Sequence, residues 1–299
     1  MAYLNIPGLT AARSSDMAVM YSFREVYGSH DRSLSFSRWL ASIPAGRVVA
    51  LFIAIIVLYP VIAHAQSGAE GASPIGILFR WMPLLLTTGF ALNILISFIT
   101  MLFGTIAGVL LGLGQISPNP FIRRPSKAIV LTFQNSPWLV VIFIVMLSMP
   151  NEISLFGTVV NFPDWIKAVL GLTLPVMANV AEVVRGGIIS VPSAQWEAAE
   201  ALAFTRQQTL WRIILPQCIK RMIPPWMNWY AILTMTTPLV SILGVGELVT
   251  TTRLAMAAEN DNPALLFPFF GFCLVTFFIY CYPIARLTIR LEQRFTVKL

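Results

Sequence analysis

Charged and amide side chains cluster in one helix-forming stretch, residues 195–216, between two long apolar segments. The stretch reads QWEAAEALAFTRQQTLWRIILP and is rich in helix-forming residues. The chain contains no GxxxxGK[ST] phosphate loop, no HExxH and no GxSxG. These side chains therefore indicate binding to a partner. We predict no enzymatic activity and no catalytic residue in this chain.

Cysteine and histidine usage gives no sign of a metal or a cofactor. Cys218, Cys273 and Cys281 are too few, and too apolar in their surroundings, for a disulfide framework or a metal site. His30 and His64 have no cluster of partners around them in the sequence. We predict that this chain binds no cofactor or metal of its own.

The apolar segments indicate a membrane protein, because 57% of the residues are hydrophobic and 11% are charged, against roughly 25% charged in soluble domains. Continuous apolar runs of about 20 residues favour spanning helices over barrel strands. We predict an all-α membrane protein with about six transmembrane helices. The predicted spans are residues 48–65, 84–113, 128–149, 168–184, 226–245 and 265–284.

The basic residues separate into two sets around these spans. Seventeen of the 20 Lys and Arg residues fall on one side, and only Arg80, Lys167 and Arg253 fall on the other. Because basic flanks stay inside, both termini and the loop at residues 190–224 are predicted to be cytoplasmic. The net charge of +7 is therefore a topology signal, and we predict no nucleic-acid partner.

The beginning of the chain divides into a polar part and an apolar part. Residues 1–46 predict a cytoplasmic tail and residues 47–66 an extra N-terminal transmembrane helix. The sequence Ala63-His64-Ala65 also resembles a signal-peptidase site. An uncleaved anchor is the favoured interpretation, because the region before the site is longer than the roughly 15–30 residues of a signal peptide.

The loop itself predicts two helices separated by a bend. Ser193 is expected to cap the first, and Glu197 in its first turn suits the helix dipole. Thr205 and Gln208 form a capping-box pattern, so a second helix is predicted from there to Ile214, before Pro216 ends it.

The spacing of the first helix predicts two faces. One face would hold Trp196, Ala199, Leu202 and Ala203. The other would turn Glu197, Glu200 and Arg206 toward water or a partner. A membrane-surface helix usually carries Lys or Arg on its polar face, whereas this helix is acidic, so a helix presented to the groove of a cytosolic protein is favoured.

These residues carry a family resemblance. The pattern EAAEALA, followed eleven residues later by LP, resembles the cytoplasmic E-A-A loop of bacterial ABC importer permeases. The runs AEVVRGGI at 181–188, VP at 191–192 and QWEAA at 195–199 resemble the polar amino acid permeases of the histidine, glutamine and arginine type. Further matches are Leu215-Pro216-Gln217, Pro224-Pro225, Asn228 and Leu239-Val240-Ser241, and the resemblance covers about residues 80–295.

The resemblance implies a five-helix type I permease core at residues 80–295, in a multi-pass protein of the bacterial inner membrane. Its implied partners are a cytosolic ABC ATPase dimer that binds ATP and Mg, a second permease, a periplasmic or extracellular substrate-binding protein, and membrane lipid. The loop at residues 190–224 would hold the coupling helix that docks on the ATPase. The implied coupling residues are Trp196, Glu197, Ala198, Ala199, Leu202, Ala203 and Thr205.

The chain departs from the family pattern at three places. Ala203 stands where the family usually has Gly, and a left-handed conformation there would be unfavourable. The family's RGTP and KDTSL segments correspond to QNSP at 134–137 and MTTPL at 235–239, so charges are lost at Gln134, Met235 and Thr236. An unusual substrate, an asymmetric partner permease that carries the site, and a structural role of those charges in the family all remain open explanations.

Polar residues within the spans are candidates for a substrate pathway. They are Gln134, Asn135, Ser136, Glu182, Arg185, Asn228, Thr236, Thr237 and Ser241. The alternatives are interhelical hydrogen bonds for Gln134 and Asn135, an ion pair between Glu182 and Arg185, and Ser or Thr bonding back to its own helix. Pro137 and Pro238 are expected to interrupt their helices.

The sequence therefore predicts a permease subunit of an ATP-driven importer that moves polar amino acids, or solutes like them, into the cytoplasm by alternating access. An ion-gradient-driven transporter and a non-transporting membrane sensor or scaffold are the alternatives. The short chain, the lack of a detectable inverted repeat and the position of the best motif in a cytoplasmic loop argue against the gradient-driven transporter.

Overall fold

The computed structural model of the chain describes residues 73–155 and 158–295. The predicted tail at 1–46 and the predicted helix at 47–66 lie outside these residues and stay predictions. The helices of the described part are α1 (Pro74–Leu84), α2 (Ala91–Gln115), α3 (Pro120–Gln134), α4 (Trp138–Ser148), α5 (Asp164–Ile189), α6 (Ser193–Ala201), α7 (Arg206–Gln208), α8 (Leu215–Thr236), α9 (Leu248–Ala258) and α10 (Leu266–Phe295).

Four irregular helical segments connect some of these helices. Leu85–Phe90 and Thr209–Ile214 are π-helical, and they join α1 to α2 and α7 to α8. Thr237–Leu243 and Pro263–Leu265 are 3₁₀ segments after α8 and before α10. A two-stranded antiparallel hairpin, β1 (Glu152–Leu155) and β2 (Thr158–Asn161), precedes α5. The described residues are thus helical, as predicted, apart from this hairpin, which no sequence pattern predicted.

Three continuous helical stretches are long and apolar enough to cross a membrane, namely Pro74–Gln115, Asp164–Ile189 and Pro263–Phe295. Two more qualify only as bent pairs, so the described part of the chain has up to five spans. The predicted count of six also includes residues 48–65, which lie outside that part. The first stretch has 42 residues, more than the roughly 20 that a bilayer needs.

The predicted third span at 128–149 is not one straight helix. The chain forms α3 and α4 there, and the two helices are bent by 103°. Pro137 has no backbone N–H and disfavours a helical conformation of Ser136, and α3 ends at Gln134 with Pro137 as the N-cap of α4. The expectation that Pro137 interrupts its helix is confirmed.

The predicted fifth span at 226–245 is also irregular. Its helix, α8, ends at Thr236, two residues before Pro238, as expected. A 3₁₀ segment follows, Gly244 adopts the left-handed conformation with φ 84°, and α9 then begins as an additional helix that was not predicted. The bend across this break is 49°.

The hairpin is joined to the start of α5 by a buried lysine. Lys167 is 2% exposed, and its ammonium donates to Asp164 at 3.0 Å and to the side chain of Asn151. A buried ammonium needs such partners because its desolvation is costly. The lysine therefore ties the chain entering β1 to the first turn of α5.

Helices α2 and α5 pack closely through a stripe of glycines on α2. A Cβ on Gly108 would lie 2.7 Å from Val180 Cβ and 2.8 Å from the Met177 carbonyl oxygen. Gly104 and Gly112 are equally close to α5, with nearest distances of 2.5 and 2.8 Å. Small residues at four-residue spacing allow two helix backbones to approach in a membrane, so this stripe sets the spacing of the central helix pair.

Gly108→Ala is therefore expected to destabilise the protein by about 1–3 kcal/mol, because the added methyl group overpacks the contact. Gly186→Ala is the matched control, since a Cβ there meets no atom within 4 Å and both changes add the same helix propensity. The thermal unfolding midpoint in detergent measures the difference. Equal midpoints for the two variants would contradict the packing role of Gly108.

Candidate functional site

The acidic stretch forms a short helix outside the long spans. Helix α6 begins at Ser193, and Pro192 with φ −54° and ψ 141° is its N-cap. The prediction that Ser193 caps the helix is wrong, because Ser193 is already its first residue and no side chain bonds to this N-terminus. The helix thus begins one residue earlier than predicted, and the prediction that Glu197 lies in its first turn is wrong, because that turn contains no acidic residue.

One face of α6 packs on the chain's own core. Ala199 is 2% exposed, and Trp196 is half-buried against the main cluster of apolar residues. The guanidinium carbon of Arg206 lies 6.0 Å from the centroid of the Trp196 ring, within reach of a cation–π contact. Trp196 and Ala199 therefore anchor α6 to the membrane part.

The opposite surface of α6 faces outward. Glu197, Ala198 and Glu200 are exposed, and Leu202 is 72% exposed. The predicted grouping of Leu202 and Ala203 with Trp196 is wrong, because both residues are exposed. The Leu202 N–H still donates to the Ala198 carbonyl at 3.2 Å, so Leu202 keeps its helical position, which is about 120° around the axis from Trp196. Ala203 leaves helical geometry with φ 58°. The exposure predicted for Glu197, Glu200 and Arg206 is confirmed. We call residues Glu197, Ala198, Glu200 and Leu202 the exposed α6 surface.

The bend after α6 has the geometry of a Schellman motif. Ala203 is left-handed with φ 58°. The Phe204 N–H donates to the Ala199 carbonyl at 3.0 Å, and the Ala203 N–H donates to the Glu200 carbonyl at 2.9 Å. Glycine is the usual residue at such a position. The Cβ of Ala203 makes this left-handed conformation sterically unfavourable.

Ala203→Gly is expected to stabilise the end of α6 by about 1 kcal/mol, because glycine adopts a positive φ without steric cost. Ala201→Gly, two residues earlier in regular helix, is the matched control and should destabilise it by about the same amount. Amide hydrogen exchange in α6 measures both effects. Faster exchange in Ala203→Gly would contradict the strain assigned to this bend.

The second helix of the loop begins as predicted and ends differently. Thr205 caps α7, and a full capping box with Gln208 is present. The predicted end at Ile214 is wrong, because the π-helical segment Thr209–Ile214 carries the chain directly into α8. Pro216 lies in the first turn of α8, where its missing N–H and its ring are tolerated.

A cavity of about 910 Å³ lies between α5, α8 and α10 and reaches the start of α6. Its lining includes Glu182 from α5, Arg221 and Asn228 from α8, and Pro192 at the N-cap of α6. Arg221 also donates to the Ser190 carbonyl at 3.0 Å. The cavity thus brings a guanidinium, an amide and two carboxylates to one space beside α6, since Glu292 of α10 also lines it.

Two of the predicted pathway residues, Glu182 and Asn228, line this cavity. Glu182 pairs with Arg185, whose Nη2 lies 2.6 Å from Glu182 Oε2, so the predicted ion pair is confirmed. Their side chains are 24% and 38% exposed, which leaves the carboxylate accessible from the cavity.

The other predicted pathway residues lie at two separate places. Gln134, Asn135 and Ser136 lie at the α3–α4 bend, where Asn135 Nδ2 donates to the Leu131 carbonyl at 2.7 Å and Ser136 Oγ to the Thr132 carbonyl at 2.6 Å. Both bonds join residues four positions apart. The Asn135 Nδ2 therefore makes a local bond and not the predicted interhelical one.

Thr236, Thr237 and Ser241 lie at the break after α8. Thr236 bonds back to the Ile232 carbonyl at 2.7 Å, which confirms the back-bonding alternative for that residue. Thr237 is fully buried and Ser241 is 9% exposed. The structure therefore places these residues apart from the cavity lining.

Two buried polar residues at this break were not predicted as site residues. Asn93 on α2 and Glu247 before α9 are both 0% exposed, and Asn93 Nδ2 lies 3.0 Å from Glu247 Oε2. The available signals were a lone amide inside the second apolar run and a carboxylate directly after Gly244-Val245-Gly246. Within residues 73–155 and 158–295, no three His, Cys, Asp or Glu residues come together as a metal site.

Comparison with known proteins identifies one family and one fold. The sequence model described as "Binding-protein-dependent transport system inner membrane component" matches residues 102–286. The chain is 32% identical to the probable amino-acid ABC transporter permease protein y4tF of Sinorhizobium fredii, over 60% of this chain and 77% of that protein. It is also 32% identical to the probable amino-acid ABC transporter permease protein YckA of Bacillus subtilis, over 58% of this chain and 74% of that protein.

Two solved structures have a similar fold. One is a crystal structure of an amino acid ABC transporter with histidines, with a TM-score of 0.63 at 22% identity, over 73% of this chain and 96% of that chain. The other is an inward-facing conformation of the MetNI methionine ABC transporter, with a TM-score of 0.56 at 19% identity, over 72% of this chain and 98% of that chain. At these identities the likeness is one of fold.

Proposed function

This chain belongs to the family of binding-protein-dependent transport system inner membrane components, and we propose that its solutes are polar amino acids or amino-acid-like compounds. It is the permease subunit of an ATP-driven importer, consistent with the named relatives. The observation behind the coupling mechanism is the exposed α6 surface. Through it, ATP hydrolysis by a partner would move the membrane-spanning helices.

The partner in this proposal is a cytosolic ABC ATPase dimer that binds ATP and Mg, and α6 is its docking element. Leu202 is an apolar side chain with 72% exposure on an otherwise polar surface, which suits insertion into an apolar pocket of a partner groove. Glu197 and Glu200 add a negative rim, and Ala198 permits close backbone approach. Trp196 and Ala199 do not meet the ATPase in this proposal, because they hold α6 to the spans.

Movement of the docked helix would reach the cavity directly. Pro192 belongs both to the cavity lining and to the N-cap of α6, so a displacement of α6 changes the wall between α5 and α8. Two positions of the ATPase would open and close this wall. The wall is then an element with two states, and ATP bound at a distance shifts the balance between them. A second permease and a periplasmic or extracellular substrate-binding protein complete the assembly.

The cavity supports a zwitterionic solute. Glu182 offers a carboxylate for an ammonium group, and Arg221 offers a guanidinium for a carboxylate. Seventeen of the 20 Lys and Arg residues lie on the side assigned to the cytoplasm, and Arg185, Arg206, Lys220 and Arg221 are among them. This distribution supports cytoplasmic termini and an exit from the cavity toward the cytoplasm.

The substrate class is tested by competition in proteoliposomes that contain the chain, its ATPase, its partner permease and its binding protein. Uptake of a labelled amino acid mixture should be reduced by excess polar amino acids and not by sugars or inorganic anions. Competition by sugars, or the absence of any amino acid uptake in an assembly with active ATPase, would refute the proposed substrate class.

A further inference from the structure

A carboxylate lies buried at the break between α8 and α9, away from the exposed α6 surface. Glu247, Asn93 and Thr237 are each 0% exposed. A buried carboxylate is retained only when several donors compensate its desolvation. The identity of those donors shows what Glu247 holds in place.

The donors come from two different parts of the chain. Asn93 Nδ2 lies 3.0 Å from Glu247 Oε2 and 2.9 Å from Thr237 Oγ1. The backbone N–H of Thr250 donates to Glu247 Oε1 at 3.0 Å, and that of Leu248 donates to Asn93 Oδ1 at 3.0 Å. Asn93 and Glu247 together therefore bond the first turn of α9 to α2.

A second contact holds the same turn of α9. A Cβ on Gly89 would lie 2.9 Å from Leu248 Cα, so the π-helical segment Leu85–Phe90 lies against the backbone at the start of α9. This close approach and the Asn93 bonds lie one helical turn apart along the same chain segment. The start of α9 is thus fixed on α2 by packing and by hydrogen bonds.

The chain changes direction beside this contact, with a bend of 49°. It runs through the 3₁₀ segment Thr237–Leu243, then left-handed Gly244, and then Val245 and Gly246 before α9 begins. Regular i to i−4 bonds are interrupted there, and the local backbone bonds, such as Val245 N–H to the Val240 carbonyl at 3.3 Å, are joined by side-chain bonds to α2. The Asn93–Glu247–Thr237 network supplies bonds to both sides of the break, since Thr237 begins the 3₁₀ segment and Glu247 caps α9.

We propose that Glu247 is a positioning residue for transport: with Asn93 and Thr237 it fixes the angle between α8 and α9 against α2, and solute passage requires that angle. The role rests on the proposed transport function. It concerns the break itself and needs no contact between Glu247 and the solute.

The test uses a charge exchange between Glu247 and Asn93. In Glu247→Gln one carboxylate oxygen becomes an NH2 group, so in either amide orientation a donor faces a donor, either Asn93 Nδ2 or the Thr250 N–H. In the double variant Asn93→Asp with Glu247→Gln, the Gln oxygen can accept from the Thr250 N–H while its NH2 donates to the carboxylate at position 93. That carboxylate still accepts from the Leu248 N–H, and the Thr237 hydroxyl can turn from the Thr234 carbonyl to donate to it. Glu152→Gln removes an exposed carboxylate from the hairpin and is the matched control.

Two readouts are compared for each variant. The first is the distribution of distances between spin labels at Ile242 and Leu254, which flank the break and are 53% and 64% exposed. The second is uptake per folded transporter in proteoliposomes, separated into its maximal rate and its KM. A residue that only stabilises the fold would change the amount of folded protein without changing either value per folded transporter.

Glu247→Gln is expected to broaden the distance distribution and to lower the maximal uptake rate at least about tenfold with an unchanged KM. The double variant should narrow the distribution and recover uptake to within about threefold. Wild-type values for both readouts in Glu247→Gln, or a folded double variant with no recovery, would overturn the proposal. If Glu247→Gln does not accumulate, the double variant alone decides by the same criteria.

Failure of transport and failure of the positioning role are distinguishable. A wild-type assembly without ATP-driven uptake, in which the label distances still respond to Glu247→Gln, would refute the proposed function and leave the fixed break in place. A wild-type assembly that transports, with label distances that Glu247→Gln does not change, would refute the positioning role.

Discussion

Leu202→Asp is expected to reduce ATP-driven uptake at least about 100-fold while leaving the amount of folded protein unchanged. Leu202 is 72% exposed, so its replacement removes little packing within this chain. In the proposed complex the leucine fills an apolar pocket of the ATPase, and losing its burial costs about 1.5–3 kcal/mol. An unpaired carboxylate in the same pocket adds a further desolvation cost, and together these exceed the roughly 2.7 kcal/mol of a 100-fold effect.

The measurement is copurification of the ATPase with the variant, followed by uptake and hydrolysis in proteoliposomes. Gln207→Asp is the matched control, because it adds the same charge at an exposed residue of the same loop outside the exposed α6 surface. Glu197→Arg tests the polar rim and is expected to weaken association or to uncouple hydrolysis from uptake, without changing membrane insertion. Normal association and coupled uptake in Leu202→Asp would remove α6 from the coupling mechanism.

Glu182→Gln is expected to lower uptake about tenfold, mainly through a higher KM, because the cavity loses the α5 carboxylate that we assign to the solute's ammonium, while Glu292 of α10 remains. Arg185→Gln breaks the same ion pair and should have a smaller effect, since Arg185 does not belong to the cavity lining. The partly exposed pair contributes little to stability. Uptake at a series of solute concentrations measures both variants.

The exchange variant Glu182→Arg with Arg185→Glu separates the two roles of this pair. It keeps an ion pair at the same spacing on α5 and reverses the charge in the cavity, so uptake should stay low. Equal effects of the two single variants, together with recovery in the exchange variant, would show that the pair is structural and would exclude Glu182 from solute binding.

Local interactions were the part of the fold that the sequence predicted well. The Thr205–Gln208 capping box, the Glu182–Arg185 pair and the interruption at Pro137 each depend on residues within four positions of one another. A left-handed conformation at Ala203 was considered from the family pattern, and the bend adopts it although the residue is not glycine. Such features follow from backbone geometry before any tertiary contact forms.

Contacts between distant residues could not be predicted in the same way. Asn93 and Glu247 are separated by 154 positions, and nothing in either local sequence specifies the other. Gly104, Gly108 and Gly112 recur at four-residue spacing in the sequence, but no local pattern specifies the helix that they contact. The error over Leu202 had a local cause, since two successive steps of three residues carry it about 120° around the helix from Trp196.

The energy source of uptake in the reconstituted assembly distinguishes an ATP-driven importer from the alternatives. With the ATPase present and all ion gradients collapsed, we expect amino acid uptake that requires ATP and stops when the ATPase is omitted. An imposed proton or sodium gradient should not stimulate it. Uptake that continues without the ATPase and follows a gradient would exclude an ATP-driven importer, and a complex that neither takes up solute nor stimulates hydrolysis would indicate a sensor or scaffold instead.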